Sequence, residues 1–142
     1  MESAVLGRIL DSSVVIVAER ERLNAAQFLR QIAGKKGERG VALSVVTVAE
    51  LAHGIYRADT VERRDRRREF LDDMKATVPV YPVTDKTAEL VGKLGGEAAA
   101  KGITIPLDDL LIGASAIEQG YAVATLNARH FRQIPGLALI EL

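Results

Sequence analysis

Short apolar runs alternate along the chain with longer stretches in which apolar residues recur at helical spacing. Five runs predict β-strands, at residues 7–10, 41–46, 78–83, 121–126 and 137–142. The third contains Pro79 and Pro82, which indicates an edge or irregular strand. The first, second and fourth are nearly continuous apolar runs, as expected of parallel strands that are buried on both faces.

Helical patterns lie between these strands, and each begins at a residue suited to a helix start. Thr47 opens segment 47–58, where Glu50 would complete a capping box. The other predicted helices begin at Asn24, Thr60, Thr84 and Pro106–Asp108 and end near Lys35, Ala76, Gly102 and Gly120. Strands separated by helices indicate parallel βαβ units. We therefore predict one domain over residues 1–142, a three-layer α/β/α sandwich with a short, mainly parallel sheet.

Composition narrows the possible functions. Hydrophobic residues make up 48% of the 142 residues, and aromatic residues only 4%, so the core must consist mainly of aliphatic side chains. Acidic and basic residues balance at 19 each, and net charge therefore gives no sign of a nucleic-acid partner. The absence of cysteine excludes disulfides, thiolate zinc sites and thiol catalysis. Glu2, Arg8 and Asp11 interrupt any signal-like N-terminal segment, and no run approaches the ~20 apolar residues of a membrane span. We expect a soluble, cytoplasmic protein.

Acidic and amide side chains fall where the chain leaves predicted strands. Asp11 follows the first strand, Glu50 lies in the first turn of the helix after the second, and Asn127 lies just past the fourth. Sites in open parallel sheets lie beyond the carboxyl ends of the strands, near the topological switch point. We expect a helix start that precedes a strand to lie at the opposite edge. Asp108 and Asp109 would then join the others only if segment 101–109 folds back.

Each of these residues also has a purely structural explanation. Asp11 could cap a helix, Glu50 could only complete the capping box, and Asn127 could be a turn residue. Asp108 and Asp109 could complement a helix dipole. Together, however, several carboxylates at one edge repel one another, and carboxylate and amide oxygens are the ligands of Mg²⁺ and Mn²⁺. The set therefore indicates a divalent-cation site that can activate water for attack on a phosphodiester.

Four short motifs occur in an order that resembles the PIN-domain nucleases, and most of all the VapC toxins of type II toxin–antitoxin modules. They are ILDSSVVI, VTVAELAHGIYRA, IPLDDLLIGASAIEQGYAVATLNARHF and IPGL. The resemblance covers nearly the full chain. It implies a compact α/β fold with a parallel sheet and a Mg²⁺- or Mn²⁺-dependent endoribonuclease. It also implies a cognate VapB-type antitoxin and a homodimer.

The resemblance assigns family positions to residues of this chain. The metal-binding acids fall on Asp11, Glu50 and Asp109, the fourth catalytic position on Asn127, and the supporting hydroxyls on Ser12 and Thr125. The pair Ser12–Ser13, which we interpret as a small polar turn, replaces the more usual Thr–Asn. Asp108 adds an acid that could share the role of Asp109. The implied mechanism is attack of water on a backbone phosphate of RNA.

Two other functions agree with parts of this pattern. A phosphatase of the haloacid-dehalogenase type also ends its first strand on an aspartate. That chemistry needs a second aspartate two residues on, where this chain has Ser13. A catalytically degenerate binding or regulatory module on the same fold is supported by Asn127 and opposed by the intact acids.

The densest basic stretch, residues 63–68, is open to three interpretations. It could be a solvated helix face with internal pairs such as Glu62 with Arg66, a phosphate-tracking patch for RNA, or an antitoxin contact. His53 and His130 lack metal-ligand spacing, which favours hydrogen bonding or packing. The three phenylalanines and Tyr56 are expected in the core.

Overall fold

The computed structural model describes residues 5–33 and 40–142, with a five-stranded sheet at its centre. The strands are β1 (Arg8–Leu10), β2 (Val41–Ser44), β3 (Val80–Tyr81), β4 (Ala122–Thr125) and β5 (Leu139–Glu141). Every pairing found among these residues is parallel, in the order β3-β2-β1-β4-β5. All five predicted strands are confirmed. The proline-flanked third one is short and lies at an edge, as the sequence indicated.

The strand order creates a switch point between β1 and β4. From β1 the chain moves outward through β2 to β3, and it then returns to the other side of β1 with β4 and β5. The carboxyl ends of β1 and β4 therefore border the crevice in which open parallel sheets bind ligands.

The helices that connect the strands begin close to the predicted positions, except for the first helix, Ser12–Arg20, which the sequence did not predict. They are α1 (Ser12–Arg20), α2 (Ala25–Gln31), α3 (Val45–Tyr56), α4 (Val61–Thr77), α5 (Asp85–Ala100) and α6 (Leu107–Gln119), with a 3-10 turn at Phe131–Gln133. Asn24, Thr60 and Thr84 each cap a helix by accepting the N–H three residues on, as predicted. The α2 helix ends at Gln31, and the predicted end near Lys35 lies outside the described residues.

Successive residues of the central strands enter two separate cores. Ile9 and Val123 pack with side chains of α5 and α6, while Leu10 and Leu43 pack with side chains of α1, α2 and α4. All four strand residues are completely buried. Because neighbouring side chains of a strand point to opposite faces, this alternation confirms the predicted three-layer sandwich.

Two helix starts differ from the prediction. Ser12 and Ser13 are the first residues of α1 rather than a polar turn. The α3 helix begins at Val45, capped by Ser44, so the predicted capping box of Thr47 with Glu50 was wrong. Instead, the Thr47 hydroxyl is buried and donates a hydrogen bond of 3.2 Å to the carbonyl of Leu10. Glu50 consequently lies in the second turn of α3, with its carboxylate available for other contacts.

The α6 helix begins at the carboxyl edge of the sheet, because it leads through Gly120 directly into the parallel strand β4 and so runs antiparallel to it. The expectation that such a helix starts at the opposite edge was wrong. Residues 101–106 nevertheless carry the chain back, since the 16-residue α5 first runs away from the carboxyl edge for about 24 Å.

The prediction that the three phenylalanines and Tyr56 lie in the core is only partly confirmed. Phe28, Phe70 and Phe131 are buried, as predicted. Tyr56 is 72% exposed at the end of α3, so its prediction as a core residue was wrong. Within residues 5–33 and 40–142, no helix is long and apolar enough to cross a membrane.

Candidate active site at the carboxyl edge of the sheet

An open cleft lies at the carboxyl edge of the sheet, across the switch point between β1 and β4. It is lined by Asp11, Ser12, Ser13, Ile16, Glu50, Pro106, Asp108, Asp109, Asn127 and His130. These residues come from the start of α1, from α3, from the start of α6 and from the loop after β4. The structure thus brings the four predicted catalytic residues to one cleft, together with Ser12 and Asp108. Thr125, the remaining predicted residue, is completely buried at the end of β4.

Asp11 is buried and held by two hydroxyl groups. Its backbone N–H donates to the carbonyl of Ala124 at 3.0 Å, which fixes the end of β1 against β4. Its Oδ2 atom accepts hydrogen bonds from Ser13 Oγ at 2.8 Å and from Thr125 Oγ1 at 2.9 Å. Asp11 stands at the N-cap position of α1, but its side chain makes no capping hydrogen bond. The carboxylate is therefore oriented by side chains of the site rather than used to cap the helix.

Glu50 reaches the cleft from α3 with one carboxylate oxygen unsatisfied. Its Oε1 atom is buried and has no hydrogen-bond partner among the described residues. Burial, followed by the negative charges of Asp108 and Asp11, raises the pKa of Glu50 from 4.5 to about 7. A buried oxygen without a hydrogen-bond partner lowers the stability of the folded protein. A bound cation or a proton on the carboxylate would remove this cost.

Asp109 lies in the first turn of α6 and contacts the only histidine that lines the cleft. Its Oδ2 atom is 3.0 Å from Nδ1 of His130. Burial and the charge of Asp108 raise the pKa of Asp109, and the contact with His130 opposes that change. Asp108 thus acts on both Glu50 and Asp109, so it belongs electrostatically to the same cluster.

Ser13 and His130 are the two cleft residues whose contacts the sequence did not reveal. Ser13 Oγ bonds to Asp11 and also accepts the N–H of Leu126 at 3.2 Å. Ser12 lines the cleft, but its side chain forms no hydrogen bond in the described part of the chain. For His130 the sequence indicates hydrogen bonding or packing rather than metal ligation, and its hydrogen bond with Asp109 confirms this. Ser13 also occupies the position at which a phosphatase would need its second aspartate, and this opposes that alternative.

The donor set fits a divalent cation in its chemistry. Carboxylates that raise one another's pKa and an unsatisfied buried oxygen are both relieved by positive charge. Among residues 5–33 and 40–142, however, no three such groups are gathered closely enough to bind one ion. A Mg²⁺ ion at this cleft would therefore be held partly through water, since Mg²⁺ keeps several waters and takes one or two carboxylates directly.

The arginine-rich segment of α4 does not form one uniform face. Its ion pairs and hydrogen bonds join Arg63 to Asp59, Arg66 to Glu19, Arg67 to the carbonyl of Gly54, and Arg68 to Asp72. The predicted pair of Glu62 with Arg66 was wrong, because Arg66 reaches across to α1. The segment therefore contains residues in different environments, and they need separate explanations.

Comparison with known proteins identifies the family. Residues 8–137 match the PIN domain. Ribonuclease VapC10 of Mycobacterium tuberculosis is 35% identical over 123 residues, which is 87% of this chain and 85% of that protein. The crystal structure of VapBC-5 from Mycobacterium tuberculosis, of the VapBC family of toxin-antitoxin systems, contains a chain with a TM-score of 0.73 and 28% identity, with 96% of this chain and 99% of that chain covered.

A second solved structure shares the fold. A chain of VapBC2 from Rickettsia felis, solved with a DNA fragment from its promoter, gives a TM-score of 0.80 at 24% identity and covers 96% of this chain and 98% of that one. The parallel sheet, the acids at its switch point and the match over residues 8–137 agree, and the chain belongs to the PIN-domain family. Within that family its relatives are the VapC ribonucleases.

Proposed function

We propose that this protein is a metal-dependent endoribonuclease and the toxin of a type II toxin–antitoxin module. The main support is the single cleft into which the fold brings Asp11, Glu50 and Asp109, three carboxylates that are distant in sequence. Relatives along most of the chain are named as VapC ribonucleases. The proposed substrate is RNA in the cytoplasm, and the proposed reaction is hydrolysis of its phosphodiester bonds.

The three acids would hold Mg²⁺ or Mn²⁺, directly or through water. When bound, the ion would polarise the phosphate and lower the pKa of a coordinated water molecule. Asp11 would bind in one orientation, because Ser13 and Thr125 fix its Oδ2 atom. Glu50 would contribute the oxygen that now lacks a partner.

The remaining cleft residues would position water and substrate. Asn127 is exposed at the rim, with its backbone N–H fixed by a 2.9 Å hydrogen bond to Thr125 Oγ1, so its amide side chain is offered to the cleft from a defined point. Ser12 and Asp108, which also line the cleft, would act through water. A neutral amide at this position adds no further repulsion to the acids.

Cleavage of single-stranded RNA by the purified protein tests this function directly. We expect cleavage with Mg²⁺ or Mn²⁺, loss of cleavage with EDTA, and loss in Asp11→Asn. The matched control is Asp85→Asn, which alters an exposed acid at the start of α5 and should cleave like wild type. Activity that survived EDTA, or that Asp11→Asn left undiminished, would contradict the metal mechanism.

The proposed partners are a VapB-type antitoxin and a second copy of this chain. The solved structures with this fold include VapBC toxin–antitoxin complexes. Co-expression with the product of a short neighbouring gene should give a complex in which RNA cleavage is suppressed. Light scattering on the purified toxin should give twice the mass of the 15.3 kDa chain. A monomer across the micromolar range would contradict the homodimer.

A further inference from the structure

A groove between α1, α3 and α4 opens beside the acidic cleft. Its lining includes Arg20 of α1, Leu51 and Gly54 of α3, and Arg67 of α4, around a volume of about 200 Å³. Glu50 and Ile16 line both the groove and the cleft, so the two adjoin each other. A chain bound with one phosphate at the acids would extend into this groove.

With the Glu19–Arg66 ion pair counted as neutral, two arginines of the groove lining, Arg20 and Arg67, face one remaining acid, Glu50. The carboxylate of Glu19 is neutralised by Arg66 at 3.1 Å. Arg67 uses Nη1 to donate a 2.7 Å hydrogen bond to the carbonyl of Gly54, which positions the guanidinium and leaves its other N–H groups available. Arg20 is exposed at the last turn of α1 and forms no ion pair within the described residues. Arg20 and Arg67 therefore have no ion-pair partner within the described residues, and they outnumber the one unpaired acid of the groove lining.

The walls of the groove are apolar. Val15 and Leu71 are almost completely buried, and Leu51 and Ile16 are partly exposed above them. The volume is below the range of drug-sized pockets, so only a small group could enter the groove. An apolar slot with guanidinium groups at its mouth matches a nucleotide, which combines a flat apolar ring with an anionic phosphate.

We propose that this groove binds the nucleotide next to the scissile phosphate, with its own phosphate held by Arg20 and Arg67 and its base between α1 and α3. The inference rests on the proposed ribonuclease function and adds two substrate-positioning residues to it. A peptide segment of a protein partner is the competing occupant. The excess of arginine over unpaired acid in the groove lining and the position of the groove next to the acidic cleft favour RNA.

Binding of a random-sequence, single-stranded oligoribonucleotide in EDTA tests the proposal, because phosphate contacts do not depend on sequence. Arg20→Gln and Arg67→Gln should each weaken binding about three- to fivefold, as expected for one exposed charge pair. Each should also lower the slope of log K against log salt by about 0.7, the value for one phosphate contact on a single strand. In cleavage assays with Mn²⁺, KM should rise more than kcat falls.

The matched control is Arg64→Gln, which removes an exposed positive charge from α4 outside both cavities and should bind and cleave like wild type. Arg67→Gln also removes the hydrogen bond to Gly54, so Arg20→Gln, which removes none, keeps the test independent of folding.

Equal affinities and salt slopes for Arg20→Gln, Arg64→Gln and wild type would overturn the inference, and cleavage by wild type would leave the proposed function standing. If the groove variants weakened only the complex with the antitoxin, the groove would be a protein site and the inference would be wrong. A wild-type protein that neither bound nor cleaved RNA would overturn both.

Discussion

Thr125 of β4 donates a hydrogen bond of 2.9 Å to Oδ2 of Asp11, which stands at the end of the neighbouring strand β1. The direction of this bond follows from the partner, because a carboxylate oxygen can only accept, while the same hydroxyl oxygen also accepts the backbone N–H of Asn127 at 2.9 Å. The hydroxyl proton must therefore point to the carboxylate. Residues of two central strands thus set the orientation of the first acid before any ligand arrives.

Replacing Thr125 by valine keeps the shape of the side chain and removes both its hydrogen bond to Asp11 and the one that it accepts from the N–H of Asn127. Because Asp11 is 7% exposed and Thr125 is fully buried, we expect Thr125→Val to lower the free energy of unfolding by about 1–3 kcal/mol. RNA cleavage should fall about 10- to 100-fold, the usual effect of losing a group that orients a metal ligand. Thr125→Ser should restore most of both properties.

The matched control for this change is Thr77→Val. The Thr77 hydroxyl donates to the carbonyl of Asp73 at the exposed end of α4, far in sequence from the cleft. Urea unfolding and a cleavage assay on the same preparations compare the three variants. Wild-type activity in Thr125→Val would show that Asp11 does not depend on this contact.

Much of the fold was predictable because its determinants are local. Asn24, Thr60 and Thr84 cap helices with the N–H three residues on, and such contacts need no knowledge of the rest of the molecule. The start of α3 was mispredicted because the Thr47 hydroxyl bonds to Leu10, which is 37 residues away. Ser44, the cap that α3 uses instead, lies inside the apolar run that predicted the strand.

In the candidate site, too, the local features were predictable from the sequence and the long-range side-chain contacts were not. Strand ends placed Asp11 and Asn127 at one edge, since parallel strands share their carboxyl edge. The contact of Asp109 with His130 joins residues 21 positions apart, and the choice of Ser13 rather than Ser12 depends on how α1 turns at its first residue. These side-chain directions arise from packing, which the sequence alone does not specify.

Mn²⁺ should stabilise wild-type protein more than Asp109→Asn. In the metal-free cleft the carboxylates oppose one another's ionisation, so a cation bound only by the folded state adds stability. At about 100 times Kd the gain is about 2.7 kcal/mol. Thermal unfolding with and without millimolar Mn²⁺ measures it, with Asp85→Asn as the control that shifts like wild type. Equal shifts in all three proteins would remove Asp109 from the site.

Metal-free stability should depend on pH through Glu50. Its pKa is about 7 in the folded protein against an ordinary value of 4.5, mainly because of burial. Between these values the folded state binds more protons than the unfolded state, so stability falls as pH rises. In EDTA, Glu50→Gln should therefore gain stability relative to wild type from about pH 4.5 to 7 and then level off. Glu89→Gln, exposed on α5, should follow wild type, and parallel curves for Glu50→Gln would contradict the prediction.

His130 should act by positioning Asp109 through Nδ1. The amide nitrogen of asparagine lies as many bonds from Cα as Nδ1 does, whereas that of glutamine corresponds to Nε2. His130→Ala should weaken Mn²⁺ binding about tenfold, His130→Asn should restore most of it, and His130→Gln should not. Calorimetric titration with Mn²⁺ gives the affinities. The control is His53→Ala, because His53 is exposed on α3 and does not line the cleft. Failure of asparagine to rescue would mean that His130 acts in another way.

The ion pair of Glu19 with Arg66 should contribute more to stability than the other pairs of the arginine-rich segment. The Glu19 side chain is only 9% exposed, so Arg66→Ala leaves a nearly buried carboxylate without its partner. Because Arg66 itself is 39% exposed and water can partly replace it, we expect a loss of about 1–3 kcal/mol rather than the larger cost of a fully buried pair. Arg63→Ala, which breaks a pair with 52% and 69% exposed side chains, should cost less than about 1 kcal/mol. The double variant Glu19→Gln/Arg66→Ala should recover part of the loss, since no charge is then left buried.

Urea unfolding of wild type, Arg66→Ala, Arg63→Ala and the double variant measures these differences. Equal losses in Arg66→Ala and Arg63→Ala would mean that the segment is a uniform solvated face.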